Sequence, residues 1–322
     1  MTSYERLFAP LQVKELTLAN RVVVPPLVQV RPITSAEGIA WCRRLASGGA
    51  ALVIVEATDV LRFGHDLTPA TLRPLAEAIH AAGAAAAIQL FPGPLGRDRR
   101  PADLSVAEIE TFVEGFGTAA VMCRDAGFDA AEPHGAHSYL LHDFFKPDQN
   151  HRSDRYGGSP ENRGRLGVEI VRAMRRAAGR EFVIGYRHTP TGAEYGTDES
   201  LAFVEALIGA GLDVLDVSPA MRDEPADLAA PFAARFDVPV IAVGGMEAPG
   251  AAEAALGAGR CDLVAVGRQM IADARWPEKV RDGRDGDVRR CVKCGKCSEM
   301  LSNHVPVTCV LWEEDEVAAH LP

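Results

Sequence analysis

Four cysteines near the end of the chain and two histidines near its middle have the types and spacing to do chemistry. Cys291, Cys294, Cys297 and Cys309 read C-x2-C-x2-C-x11-C within the last 32 of 322 residues, whereas Cys42, Cys123 and Cys261 are scattered. No secretory signal is visible at the N-terminus, and a non-secreted chain seldom keeps such a cluster for disulfides, so metal or redox chemistry is expected. Three close thiolates and one distant one suit a [4Fe–4S] cluster. A structural zinc with four cysteine ligands is the main rival, and a site without metal is the third outcome. Residues 279–296 hold seven Lys/Arg against three Asp, an excess that favours thiolates and an anionic cluster. His304 is a weaker substitute ligand. His134 and His137, three apart, can bring two imidazoles to one acceptor; a structural or metal-site role is the alternative.

These residues need a scaffold. Short apolar runs recur at Arg21–Val24, Ala51–Val55, Ala84–Leu90, Phe128–Pro133, Phe182–Arg187, Leu212–Val217, Val238–Val243 and Cys261–Val266. Between them lie segments of helical periodicity. Ser105–Ala126 opens on a capping box, Ser105 with Glu108, and Asp198–Gly211 begins acidic and ends on glycine. Strands alternating with helices imply parallel pairing, and eight units predict an α/β (β/α)8 TIM barrel. No G-x-G-x-x-G follows a strand, so a Rossmann domain is not supported. The expected division is a barrel over 1–283 and a cysteine-bearing C-terminal tail over 284–322.

A barrel puts chemistry at the C-terminal ends of its strands. Those ends carry Pro25-Pro26, Glu56-Ala57, Gln89, His134 to His137, Arg187, Ser218, Gly244-Gly245 and Gly267-Arg268. The last two pairs follow strands seven and eight, where barrels commonly hold phosphate, and Arg268 adds a charge; tight turns are the alternative. The composition is 47% hydrophobic and 24% charged with net charge −10, which disfavours nucleic-acid and anionic-membrane partners. No run of 18 apolar residues exists. A cytoplasmic location is expected.

The stretch from His134-Gly-Ala-His137-Ser-Tyr139 through Asn150-His-Arg-Ser-Asp154-Arg-Tyr156-Gly-Gly to Arg163 resembles the Old Yellow Enzyme family of flavin oxidoreductases. So do Asn20-Arg21-Val-Val-Val-Pro-Pro26 and Asp262-Leu-Val-Ala-Val-Gly267-Arg268. The resemblance runs in order over the whole barrel. It implies FMN across the barrel mouth, with backbone at Pro26, Leu27 and Ala57 on the ring system. Gln89 would meet the pyrimidine edge and Arg187 would sit near N1, where an always-charged guanidinium stabilises reduced flavin. A buried salt bridge is the alternative role for Arg187. Gly244, Gly245, Met246, Gly267 and Arg268 would surround the phosphate. His134 and His137 would grip a carbonyl oxygen, and Tyr139 would donate a proton. NAD(P)H would be the reductant and an enone or related activated alkene the small-molecule substrate. The Asn150–Arg163 segment would support the site through local hydrogen bonds and ion pairs, and His142 and His151 would be ordinary polar loop residues.

The tail resembles the iron–sulfur segment of the dienoyl-CoA reductase and trimethylamine dehydrogenase branch, with spacings that differ by a residue. That branch implies electron exchange with a partner protein or an FAD-containing subunit. A non-catalytic flavin-binding subunit is a further reading, and a homo-oligomer is expected because such barrels commonly pair. Two departures bear on substrate. The run Gln89-Leu-Phe-Pro-Gly-Pro94 lacks the family's His and Arg, and Val28 stands where members often have Thr or Cys.

Overall fold

The computed structural model describes residues 4–93, 99–220 and 226–318; Pro94, within the divergent run after Gln89, lies outside them. A hairpin of β1 (Leu11–Val13) and β2 (Leu16–Leu18) precedes the eight strands of a closed parallel barrel. These are β3 (Val22–Val24), β4 (Leu52–Asp59), β5 (Ala85–Phe91), β6 (Ala130–Gly135), β7 (Val183–His188), β8 (Val214–Val217), β9 (Val240–Val243) and β10 (Leu263–Ala265). β10 closes on β3 through Val264 beside Val22 and Ala265 beside Val23. All eight strands fall within the expected runs or overlap them, with ends shifted by a residue or two. The exception is β4, which continues to Asp59 past an irregularity between Val55 and Thr58.

Alternation along the strands sorts the barrel interior into layers. Val23, Ile54, Ala87, Ala130, Val183, Val214, Ile241 and Leu263 form one apolar cluster, which Val13 and Leu18 of the hairpin join. Two residues further along four of these strands the inward positions are Gln89, Glu132, Gly185 and Asp216. Beyond them come Phe91, His134, Arg187 and Ser218 at the mouth. Apolar packing therefore stops part-way up, and polar groups take over where a ligand could enter.

The helices outside the barrel follow the expected signals. Val106–Ala126 is capped by Ser105 with Glu108 and stops at Gly127 in the left-handed region. Thr197–Ala210 ends at Gly211, also left-handed, where only glycine is free of strain. Among the described residues no helix is long and apolar enough to cross a membrane.

The segment after the helix Trp276–Arg281 folds back over the barrel mouth. Buried Trp312 donates its indole N–H to Ile271 O at 2.8 Å and lies 5.9 Å from Trp41. The Arg44 guanidinium sits 4.1 Å from the Trp312 ring centre. Further back, Val307 N–H donates to Gln29 O at 3.0 Å, in the loop that follows β3.

Candidate active site

The strand ends bring the expected residues to one rim. Pro26 and Leu27 follow β3, and Ala57 occupies the irregular stretch of β4, a place where bulges re-aim backbone toward sites. Gln89 lies on β5 and His134 on β6, directly beside Arg187 of β7. Gly244 and Gly245 follow β9 with φ of 112° and 69°, consecutive conformations that side chains resist. Buried Met246 comes next. Gly267 follows β10 and packs close to Pro25 and Leu27, so the two ends of the closed sheet meet there.

The aromatic cluster at the mouth is compact. The rings of His134 and His137 are 5.1 Å apart at 88°, and His134 and Tyr139 are also 5.1 Å apart. Phe91 stands edge-on to Tyr139 at 5.2 Å. Ala136 N–H donates to His134 Nδ1 at 3.3 Å, so a neutral ring carries its proton on Nε2. Burial, then the neighbouring His137 and Arg187 charges, hold His134 well below the usual histidine range. Burial and Arg187 bring His137 down to about 3. Both rings are therefore neutral at physiological pH and can serve as N–H donors. His137 Nε2 already meets Ser218 Oγ at 2.8 Å, which leaves its Nδ1 as the second ring position.

Beneath this cluster lies Arg187 with two carboxyl groups that the sequence pattern hid. Arg187 donates to Ser218 Oγ at 3.1 Å, and its Nε stands 3.3 Å from an Asp216 oxygen. Arg187 thus makes the buried salt bridge that the sequence offered as one of its two readings, and does so at the barrel mouth. Gln89 Nε2 donates to Glu132 Oε1 at 2.8 Å. A Cβ on Gly185 would come within 2.9 Å of Glu132 Cβ, so glycine there makes room for the carboxyl inside the barrel. Burial and the nearby Asp216 raise Glu132, and burial raises Asp216 against the pull of Arg187. Arg187 Nε and both Asp216 oxygens are buried without a hydrogen bond, an arrangement expected beside a ligand rather than in a sealed core.

The Asn150–Arg163 segment is a bonded loop. Asn150 donates to Phe144 O and Tyr156 O at 2.6 and 2.7 Å. Arg163 binds Phe145 O, Gly158 O and the Glu199 carboxylate. His142 differs from the expectation of an ordinary polar loop residue: it is buried and bonded at both nitrogens.

In the tail, Cys291, Cys294, Cys297 and Cys309 line one pocket together with Arg268, Lys293 and Lys296. Gln269, next to Arg268, accepts from Cys291 N–H at 2.9 Å and donates to Arg289 O at 2.9 Å. This pins the start of the cysteine loop beside the β10 end. Among the described residues no three His, Cys, Asp or Glu side chains form a group that could hold a metal ion, and all seven cysteines are free. The four cysteines thus line one shared pocket.

Comparison with known proteins places this arrangement. A family model described as NADH:flavin oxidoreductase / NADH oxidase matches residues 6–100 and 96–287. An NADH oxidase of Thermoanaerobacter brockii is 32% identical over 91% of this chain and 53% of its own length. The chain spans about half the length of several curated relatives it matches. Among solved structures, morphinone reductase in complex with tetrahydroNAD is 28% identical with a TM-score of 0.75, covering 86% of this chain and 91% of that one. Histamine dehydrogenase from Rhizobium sp. 4-9 is 25% identical with a TM-score of 0.83, covering 96% of this chain and 52% of that one.

Proposed function

The chain belongs to the NADH:flavin oxidoreductase / NADH oxidase family, and from that premise we propose an FMN-dependent NAD(P)H oxidoreductase acting on a C=C bond conjugated to a carbonyl. The observation that carries the reading is the pair of neutral histidines, His134 and His137, packed against Tyr139 above Arg187. The residues present suit FMN. Gly244 and Gly245, left-handed after β9, and Arg268, which opens the helix after the neighbouring β10, would meet a phosphate with backbone N–H groups and a guanidinium. Glu132 occupies the Gln89 amide nitrogen, so the Gln89 oxygen remains for an N–H on the ring system. Bound FMN would supply hydride to the β-carbon of the alkene.

The chain's own groups would do the rest. Nε2–H of His134 and an N–H of His137 would hold the carbonyl oxygen and stabilise the negative charge that develops there. Tyr139 Oη would deliver a proton to the α-carbon. The Arg187 guanidinium, fixed by Asp216 and Ser218, would hold positive charge beneath the site without depending on pH. Anaerobic titration tests this: FMN should bind the purified protein, NADH or NADPH should bleach it, and cyclohex-2-enone should restore the colour. A colourless protein that takes up no added FMN would sink the proposal.

A second reading concerns the tail. Cys291, Cys294, Cys297 and Cys309 share a pocket with Arg268, Lys293 and Lys296, whose positive charge suits thiolates and an anionic [4Fe–4S] cluster. Such an enzyme would exchange electrons with a partner protein or an FAD-containing subunit. Iron and acid-labile sulfide in protein isolated without air would support it, and zinc or no metal would refute it.

A further inference from the structure

The loop bearing His137 and Tyr139 has a backbone that needs holding. His137 and Ser138 have φ of 60° and 56°, and neither is glycine. Successive side-chain-bearing residues persist in the left-handed region only where their surroundings over-determine it. Four hydrogen bonds supply that constraint. His137 N–H donates to Thr189 Oγ1 at 3.2 Å, and Ser138 N–H donates to His142 Nδ1 at 2.8 Å. On its other side His142 Nε2 meets the Tyr195 hydroxyl at 2.6 Å. Tyr195 passes its own proton to Thr189 O at 2.8 Å.

The donor logic fixes the ring. Tyr195 spends its hydrogen on Thr189, and Nδ1 accepts from Ser138, so Nε2 carries the proton. His142 is 3% exposed, and burial, then the Lys146 charge, bring it down to about 3, so the ring stays neutral. The same bonds tie the loop after β6 to the loop after β7.

We propose that His142 is a positioning residue: its Nδ1 holds Ser138 in the left-handed conformation that aims His137 and Tyr139 at the substrate. The inference rests on the reading given under Proposed function, and it adds a residue that touches neither substrate nor cofactor. Asparagine places an oxygen where Nδ1 stands, whereas glutamine reaches toward the Nε2 position. His142→Asn therefore keeps the acceptor for Ser138, His142→Gln keeps only the link to Tyr195, and His142→Leu keeps neither.

The test titrates FMN and then cyclohex-2-enone into wild type and the three variants, following the flavin spectrum, with hydrogen exchange at the Ser138 amide measured alongside. The expected result is wild-type FMN affinity throughout. Enone affinity should hold within about threefold in His142→Asn and weaken about tenfold or more in His142→Gln and His142→Leu, the scale of one lost hydrogen bond. The Ser138 amide should be protected in wild type and His142→Asn and unprotected in the other two. Parental enone affinity with a protected Ser138 amide in His142→Gln and His142→Leu would overturn the proposal. So would a His142→Asn protein as impaired as His142→Leu, or joint loss of FMN and enone in every variant. If wild type itself binds neither FMN nor enone, the functional reading fails, and the Ser138 exchange pattern still decides the role of His142.

Discussion

Replacing Glu56 by Gln should change how stability depends on pH. Glu56 lies at the irregular stretch of β4, next to Ala57, and accepts Gln29 N–H at 2.8 Å. Burial raises its carboxyl from 4.5 to about 7, outweighing its hydrogen bonds from Gln29 and the attraction of Arg31 and Arg62. The unfolded chain releases this proton near 4.5 while the folded chain keeps it to about 7, so between those values the folded state binds more protons. Stability from this group is thus full below pH 4.5 and is lost as pH rises toward 7. At about 1.4 kcal/mol per pH unit the interval sets an upper bound of about 3 kcal/mol. The residue is only half-buried, and solvent screening reduces the expected effect to about 1–2 kcal/mol. Glutamine keeps a carbonyl acceptor for Gln29 and has no proton to lose. Urea unfolding at pH 5 and pH 8 should show wild type losing about 1–2 kcal/mol more than Glu56→Gln, since other titrating groups are common to both. Parallel losses in the two proteins would refute the reasoning.

Three further outcomes are expected. His134→Ala and His137→Ala should each weaken enone binding about tenfold or more while FMN stays bound, as read by flavin absorbance; loss of FMN alone would assign them a structural role. Trp312→Ala should destabilise the protein by about 3–5 kcal/mol in urea unfolding, because it empties a buried site and removes an indole hydrogen bond; a change under about 1 kcal/mol would show that the tail is loosely attached. Gly135→Ala should destabilise the protein by about 1–3 kcal/mol, read as a lower melting temperature, since a Cβ there would lie 2.2 Å from the Tyr186 hydroxyl; an unchanged melting curve would contradict that packing.

The barrel was legible because its strands are apolar runs on a regular repeat, and helix ends such as Ser105 with Glu108 are local signals. The hairpin Leu11–Leu18 was not read: its strands are three residues each, and the turn depends on Lys14 at φ 52°. Glu132 and Asp216 lie inside runs whose apolar pattern reads as plain strand. A charge at an inward-facing position, two residues after Ala130 or Val214, was the available clue. His142 was misjudged because burial depends on Tyr195, 53 residues away, which no local pattern reveals. The docking of Trp312 on Trp41 and Arg44 is equally non-local.

The bond between Val307 and Gln29 sets a schedule for the molecule's making. Arg31 donates to Val307 O across 276 residues of chain, and Val307 N–H returns a bond to Gln29 O. At about 5–20 residues per second, a ribosome needs about 15–55 s to travel between those two points. Throughout that time the first loop of the barrel mouth lacks the segment that bonds to it. The loop that carries Gln29 and Arg31 therefore gains its last partners only after translation has passed residue 307, which makes assembly of the mouth a late event in the life of each new chain.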